Sequence, residues 1–361
     1  MKLFKKSLAL CLALLLSLSL AACGGKSEPD GVETGSPAEE AVEEPVEEAA
    51  EEAVTVRVAA LKGPTAMGLV QLIDQFGVVE TPQSEPLVQD VSENGGSYNF
   101  TLAAAADEVT PLLIKGDLDM ACVPANLASV LYNKTEGQVV TLAVNTLGVI
   151  YIVENGNAVQ SMEDLRGTTI VAAGKGSTPE YALRYLLKEN GIDPDADVTI
   201  DWKSEHSECV AALAAGSATI ALLPQPFVTV AQGKIADLRV ALDLTAEWDA
   251  LDNGSALLTG VVVARKDFVE AHPAAVEAFL ADYAASVAWV NGNTSEAAAS
   301  IGELGIVDAA VAEKALPYCN IVCITGSEMQ EKLSGYLEVL FDAEPTSVGG
   351  TLPGDDFYYG A

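Results

Sequence analysis

The same order of strand and helix signals occurs twice in this sequence, and the two copies are 100 residues apart. Residues 116–124 read Gly-Asp-Leu-Asp-Met-Ala-Cys-Val-Pro, and residues 216–224 read Gly-Ser-Ala-Thr-Ile-Ala-Leu-Leu-Pro. In each copy a glycine ends a predicted helix, a short apolar strand follows, and a proline begins the next turn. We therefore predict two halves with one α/β plan, in which strands alternate with helices.

A second pair of segments supports this repeat. Residues 58–63, Val-Ala-Ala-Leu-Lys-Gly, and residues 171–176, Val-Ala-Ala-Gly-Lys-Gly, agree at five of six positions, and each ends a predicted strand. The alternative is that any two strand–helix units look alike, but the shared Lys-Gly and proline turns favour a common plan. Further matching elements are strands predicted at 98–104 and 198–202 and helices predicted at 107–115 and 207–215.

Two apolar connections are predicted to join the halves. The chain leaves the first half through residues 140–153 and returns through residues 257–264. Gly148 and Gly260 lie in these connections, where each either absorbs backbone rotation or relieves crowding between strands. We expect parallel sheets with helices on both faces, and a ligand cleft at the carboxyl ends of the strands.

The first residues have the features of an export signal. Three lysines precede an uncharged apolar run over residues 7–22, which is shorter than a membrane-spanning helix requires. The run ends in Leu-Ala-Ala-Cys, which resembles the lipobox of bacterial lipoproteins. This resemblance implies that the signal peptide 1–22 is removed and that Cys23 receives lipid. The alternatives are an ordinary signal peptide with an incidental cysteine, or a transmembrane anchor.

Residues 23–53 are predicted to form a disordered tether. Residues 24–53 contain eleven acidic residues and one lysine, and the segment has too few apolar residues to form a core. A flexible chain of this length spans about 30 Å. An acidic docking tail is the alternative. The net charge of the whole chain is -33, which argues against nucleic-acid binding through a broad basic face.

The cysteines and histidines do not suggest a metal site. Cys122 and Cys209 lie in apolar segments and are predicted to be core residues. Cys319 and Cys323 either form a disulfide, which export permits, or remain free thiols. The chain contains two histidines, too few and too scattered for a typical zinc site. We expect neither a metal nor another cofactor.

Three segments carry a specific family resemblance. Residues 60–68, 123–133 and 176–181 resemble the solute-binding proteins of ABC importers, and the nearest group is similar to the nitrate, sulfonate, taurine and thiamine-precursor binders. The resemblance covers nearly all of residues 54–361. It implies a type II periplasmic-binding-protein fold, with two βαβ lobes joined by two crossover strands around a ligand cleft. The expected limits are 54–147 with 255–361 for lobe I and 148–254 for lobe II.

The resemblance also implies a function. The chain would be an extracytoplasmic solute-binding lipoprotein of an ABC importer, held to the outer face of the cell membrane through Cys23. As a monomer, it would capture a small organic molecule by lobe closure and deliver it to the permease and ATPase. The expected ligand is an anion such as a sulfonate or carboxylate, or a heterocycle resembling a thiamine precursor.

Two other functions use the same fold. A membrane-tethered sensor or scavenger would share the cleft but act on a receptor. An enzyme resembling the pyrimidine synthases would need a cysteine-rich, iron-binding motif, which this sequence does not contain. We therefore expect a binding protein rather than an enzyme.

The expected ligand contacts follow strand ends, where helix N-termini offer N–H groups. Ser177 and Glu180 also fit an ordinary capping box. The alternative for Lys62 and Lys175 is that both are solvated surface residues. His206 is either a ligand contact or a surface histidine. The candidate residues are Lys62, Gly63, Thr65, Met67, Asn126, Asn145, Thr146, Lys175, Gly176, Ser177, Thr178, His206 and Gln225.

Overall fold

The computed structural model describes residues 54–79 and 91–361, which form an α/β fold. The strands are β1 (Thr55–Leu61), β2 (Gly77–Val79), β3 (Ser97–Ala103), β4 (Met120–Pro124), β5 (Val139–Leu147), β6 (Ile150–Glu154), β7 (Thr169–Ala172), β8 (Thr199–Trp202), β9 (Ile220–Pro224), β10 (Arg239–Asp243), β11 (Leu258–Arg265) and β12 (Ile321–Ile324). The predicted signal peptide, Cys23 and the acidic tether lie outside the described residues.

Helices surround the strands throughout the described part of the chain. They are α1 (Pro64–Met67), α2 (Val70–Phe76), α3 (Ala106–Lys115), α4 (Ala125–Lys134), α5 (Thr178–Glu189), α6 (His206–Ala214), α7 (Phe227–Lys234), α8 (Leu244–Asp249), α9 (Lys266–Ala271), α10 (Pro273–Gly292), α11 (Thr294–Glu303), α12 (Ala309–Ala315) and α13 (Gly326–Ala343). Within residues 54–79 and 91–361, no helix combines the length and the apolar character needed to cross a bilayer.

The first sheet has the strand order β12-β5-β11-β4-β1-β3-β2. Its strand β1 pairs in parallel with β3 and β4. Val58 and Ala60 are buried on one face of β1 and Ala59 on the other, because helices cover both faces of the sheet. We refer to this sheet and its helices as lobe I.

The second sheet has the strand order β10-β6-β9-β7-β8, and we refer to it and its helices as lobe II. Its strand β7 pairs in parallel with β8 and β9. The triplet β9-β7-β8 therefore repeats the triplet β4-β1-β3 of lobe I. The helices that follow these strands also correspond, with α3 and α4 in one lobe and α6 and α7 in the other. The common α/β plan predicted from the sequence is confirmed.

Neither sheet is purely parallel, which differs from the expectation. β11 is antiparallel to both of its neighbours, β4 and β5, and β6 is antiparallel to β9 and β10. The physical reason lies in the connections. The chain reaches β6 directly from the first sheet and reaches β11 directly from the second sheet. Each of these strands therefore starts at the end of its sheet where the parallel strands finish, and it runs in the opposite direction.

The glycines of the two connections lie where other segments approach closely. A Cβ atom on Gly148 would lie 2.1 Å from Thr245 Oγ1, and one on Gly260 would lie 2.4 Å from Asn145 Oδ1. Asn320 holds the first connection as well, because its Nδ2 donates to the Gly148 carbonyl oxygen at 2.6 Å. Gly148 is therefore crowded by a side chain of α8 and Gly260 by a side chain of β5, and a larger residue would not fit at either position without a shift.

The C-terminal segment is fastened to lobe I. The backbone N–H of Tyr359 donates to the Thr141 carbonyl oxygen at 3.0 Å, and Asn133 Nδ2 donates to the Thr351 carbonyl oxygen at 2.7 Å. The question of the cysteine pair is also answered, because Cys319 and Cys323 are free thiols in this structure.

Candidate functional site

The turn after β1 presents one charged side chain to solvent. The backbone N–H of Lys62 donates to the Ala103 carbonyl oxygen at 2.9 Å, which fixes the turn against the end of β3. Gly63 has a φ of 147°, a value that favours glycine, and the space beside its Cα is open. The Lys62 side chain is exposed, whereas Thr65 is buried and donates its hydroxyl to the Leu61 carbonyl oxygen at 2.8 Å. Met67 is fully buried in the lobe I core.

The turn after β7 is built in a similar way. Lys175 is exposed, and Gly176 has a φ of 77° with open space beside its Cα. The Glu180 carboxylate accepts a hydrogen bond from the Gly176 N–H at 2.6 Å, and the Ser177 hydroxyl donates to the Gly174 carbonyl oxygen at 2.8 Å. The capping-box interpretation is therefore wrong in detail. Glu180 accepts from the N–H of Gly176, the residue before Ser177, and the Ser177 hydroxyl accepts no hydrogen bond from a helix N–H.

The two turns share three features that bear on ligand binding. Each follows the central parallel strand of its sheet, exposes a lysine, and places a glycine of positive φ beside open space. Within residues 54–79 and 91–361, Lys62 and Lys175 make no ion pair. Both ammonium groups are therefore available to an anion. We refer to residues 62–63 and 175–176 as the Lys-Gly turns.

The amide side chains after β4 and β9 point into the protein. Asn126 is buried, and its Nδ2 donates to the Ser347 carbonyl oxygen at 3.0 Å, while its Oδ1 has no partner among the described residues. Gln225 is also buried, and its Oε1 accepts from the Thr229 hydroxyl at 2.9 Å. Neither amide presents an exposed surface to a ligand in this conformation.

The polar residues at the end of β5 are also enclosed. Asn145 and Thr146 are fully buried, and the Thr146 hydroxyl lies 3.0 Å from Asn145 Oδ1 in a hydrogen bond. The close approach of Gly260 covers them. Thr178, the first residue of α5, is fully buried too and accepts a hydrogen bond from the Tyr336 hydroxyl at 3.2 Å.

His206 packs within lobe II. Its ring lies 5.2 Å from the Phe227 ring, measured between centroids, and its Nδ1 is buried without a partner in the described part of the chain. Burial lowers the pKa of His206 to about 4, because a charged imidazolium would lose its hydration there. The imidazole is therefore neutral near pH 7, a state that suits packing better than the binding of an anion.

Residues 78–313 match the family model described as "ABC transporter, phosphonate, periplasmic substrate-binding protein". The chain belongs to this family. As a substrate-binding protein of ABC importers it binds a small molecule outside the cytoplasm and works with a permease and an ATPase, and it is not an enzyme. The predicted importer resemblance is confirmed, with the phosphonate binders as the matching family.

Solved structures support the fold of this substrate-binding protein. An ABC transporter protein from Parabacteroides distasonis has 23% identity and a TM-score of 0.67, with 84% of this chain and 98% of that chain covered. The aliphatic sulphonate binding protein SsuA from Escherichia coli has 16% identity and a TM-score of 0.63, with 83% and 97% covered. The predicted periplasmic-binding-protein fold is confirmed. No curated protein is recognisably similar in sequence.

Two cavities in the described part of the substrate-binding protein lie away from the Lys-Gly turns. One of 780 Å³ is bounded by β6, β10, α7 and the chain before β12, and includes Gln225 but none of the other predicted contacts. Another of 450 Å³ lies between α13 and the C-terminal segment. At the Lys-Gly turns, the space beside the Cα atoms of Gly63 and Gly176 is open.

Sequence reasoning missed one residue that touches the predicted site. Tyr336 of α13 lies in lobe I, yet its hydroxyl reaches Thr178 of lobe II. A contact between residues 158 positions apart leaves no local pattern in the sequence, so only the folded chain reveals it.

The depressed pKa of His206 predicts acid sensitivity of the fold. An unfolded histidine takes up a proton below a pH of about 6.5, whereas folded His206 resists it until about pH 4, so stability falls as the pH drops between these values. From pH 7 to pH 5, we expect the wild type to lose about 2 kcal/mol more unfolding free energy than His206→Leu. Urea unfolding at both pH values measures this difference. Equal losses in the two proteins would contradict the prediction.

Proposed function

We propose that this substrate-binding protein is an exported lipoprotein that captures a small phosphonate or sulfonate and delivers it to its permease. The observation that carries the ligand class is the pair of Lys-Gly turns, which offer from each lobe an ammonium group without an ion pair among the described residues. If the two turns face each other across the proposed cleft, their two positive charges would suit a ligand that carries negative charge on a compact head group. Contacts to such a group are charge-assisted and therefore strong.

The comparisons support the same ligand class. The description of the matching family names phosphonate, and the Escherichia coli protein of similar fold is an aliphatic sulphonate binding protein. A phosphonate and a sulfonate share a tetrahedral group of anionic oxygens, so one arrangement of lysines and N–H groups suits both. A thiamine-precursor heterocycle lacks this charge, and nothing in the Lys-Gly turns favours it.

We propose different roles for the exposed and the buried residues of the site. The exposed or half-buried residues would touch the ligand directly: Lys62, Lys175, Gly176 and Ser177. The buried residues would support these turns from beneath: Gly63, Thr65, Met67, Asn126, Asn145, Thr146, Thr178 and Gln225. His206 is half-buried, but its Nδ1 is enclosed, so it would act as a supporting residue too. This division follows burial, because a residue without solvent-exposed surface cannot meet a ligand that arrives from solvent.

We also propose the anchor and the lobe limits expected from the sequence. Lipid on Cys23 would hold the protein at the membrane surface, and the acidic tether would let it reach its permease. Lobe I would comprise 54–147 and 255–361, and lobe II 148–254. The crossing of the chain at residues 147–150 and 243–258, between the two sheets, supports these limits.

A thermal-shift experiment tests the ligand class. Methylphosphonate, ethanesulfonate, taurine, nitrate and the hydroxymethylpyrimidine precursor of thiamine are each added in excess to the purified protein. A ligand at 100 times its Kd stabilises the fold by about 2.7 kcal/mol, which raises the Tm by several degrees. We expect methylphosphonate or ethanesulfonate to do so. If the pyrimidine alone raises the Tm, the proposed anion specificity is wrong, and if no compound does, the proposed ligand class is wrong.

A further inference from the structure

A buried hydrogen bond connects helix α13 of lobe I with the ligand turn of lobe II. The Tyr336 hydroxyl donates to Thr178 Oγ1 at 3.2 Å, and both residues have no exposed surface. Thr178 is the residue directly after the predicted contacts Lys175 to Ser177 and begins α5. A lobe I side chain therefore holds the end of a lobe II turn.

An aromatic stack fixes the Tyr336 ring. Its centroid lies 5.7 Å from that of Trp248, and the Trp248 ring lies 4.8 Å from the Tyr185 ring. Trp248 Nε1 donates to the Ser255 hydroxyl at 3.0 Å, which ties the stack to the connection between β10 and β11. A fully buried Trp in such a stack has little freedom to move, so the Tyr336 hydroxyl is held at a defined position.

A second contact between the same two helices lies near their other ends. Lys188 Nζ, in the last turn of α5, donates to the Ala343 carbonyl oxygen at the end of α13, at 3.4 Å. The contact is exposed and weak by itself. Together with the Tyr336–Thr178 bond, it means that α13 contacts α5 at both its first and its last turn.

We propose that Tyr336 is a positioning residue for the ligand turn of lobe II. Its hydroxyl holds Thr178, and Thr178 is the first residue of α5. A fixed start of α5 in turn fixes the preceding turn, and with it the Lys175 side chain and the Gly176 backbone that meet the ligand. This inference rests on the proposed function of the turn in binding an anion. It assigns a role in ligand affinity to a residue that does not touch the ligand.

The test removes single hydroxyl groups and measures ligand binding. Tyr336→Phe keeps the aromatic stack, and Thr178→Val keeps the side-chain shape, but each breaks the hydrogen bond. Because a buried group then lacks its partner, we expect each variant to bind methylphosphonate about 5- to 10-fold more weakly. The double variant should be no weaker than either single one, since both remove the same bond. Thr178→Ser should retain the wild-type affinity.

Tyr185→Phe is the matched control. It removes a hydroxyl from the same stack, one that accepts a hydrogen bond from Asn253 Nδ2 at 3.1 Å but does not reach the turn. Its Tm should fall about as much as that of Tyr336→Phe, with unchanged affinity. A purely structural role for Tyr336 would give equal affinities in both variants.

The outcomes separate this inference from the proposed function. If Tyr336→Phe binds methylphosphonate as the wild type does while Lys175→Ala binds weakly, Tyr336 does not position the turn and the proposed function stands. Losses in the double variant that equal the product of the single losses would also overturn the inference. If the wild type binds none of the anions tested, the proposed function fails and this inference fails with it.

Discussion

The Lys175→Ala variant is expected to bind methylphosphonate about 10- to 100-fold more weakly than the wild-type protein. A hydrogen bond between an ammonium and an anionic oxygen contributes more than a neutral one, and it is stronger still in a closed cleft without bulk water. Lys62→Ala is expected to have a similar effect from the opposite lobe. Isothermal titration calorimetry of both variants and of the double variant measures the affinities.

The control for the lysine variants is Lys234→Ala. Lys234 is exposed at the end of α7 and removing it changes the net charge of the protein equally. Its affinity for methylphosphonate should equal that of the wild type, because a distant surface charge is screened by salt. If Lys234→Ala weakens binding as much as Lys175→Ala does, general charge attraction explains the result and direct contact at the Lys-Gly turn does not.

The Gly148→Ala variant is expected to lose about 3 kcal/mol of unfolding free energy. The added methyl group would lie 2.1 Å from Thr245 Oγ1 and 3.1 Å from Thr245 Cβ, so Thr245 and the start of α8 would have to shift. Thr245 Oγ1 is buried and has no hydrogen-bond partner among the described residues, so its removal forfeits no bond. Combining Gly148→Ala with Thr245→Ala should therefore reduce the loss to about 1 kcal/mol.

Gly233→Ala is the matched control for this crowding. Gly233 lies in α7, and a Cβ at that position would meet no atom within 4 Å. Because alanine favours a helix more than glycine does, the variant should gain about 0.5–1 kcal/mol. Urea unfolding of the wild type and these three variants measures the differences in unfolding free energy. A full-sized loss that persists in the Gly148→Ala, Thr245→Ala protein would show that the contact with Thr245 is not its cause.

Most strands and helices could be predicted because their signals are local. The strand predicted at 98–104 is β3, and the helix predicted at 207–215 is α6, each within one residue at its start. Glycine and proline mark the ends of these elements whatever the rest of the chain does. The short helix α1 was not predicted, because four residues are too few to show a helical period.

The candidate site was less predictable than the fold. The exposed lysines and open glycines of the Lys-Gly turns agree with the sequence pattern, since a turn between strand and helix normally lies at the surface. The burial of Asn126 depends on the Ser347 carbonyl, which lies 221 residues further along the chain. No local pattern in the sequence predicts a hydrogen bond between residues so far apart in the chain.

The sequence by itself determined the alternation of strands and helices, the repeated plan of the two lobes and the two Lys-Gly turns, because each depends on residues within about one element. Only the tertiary structure decided the antiparallel entry of β6 and β11, the enclosure of Asn145 by Gly260, and the reach of Tyr336 to Thr178. These features depend on contacts between distant segments. Whether a polar side chain meets a ligand or a neighbour is settled by what packs against it.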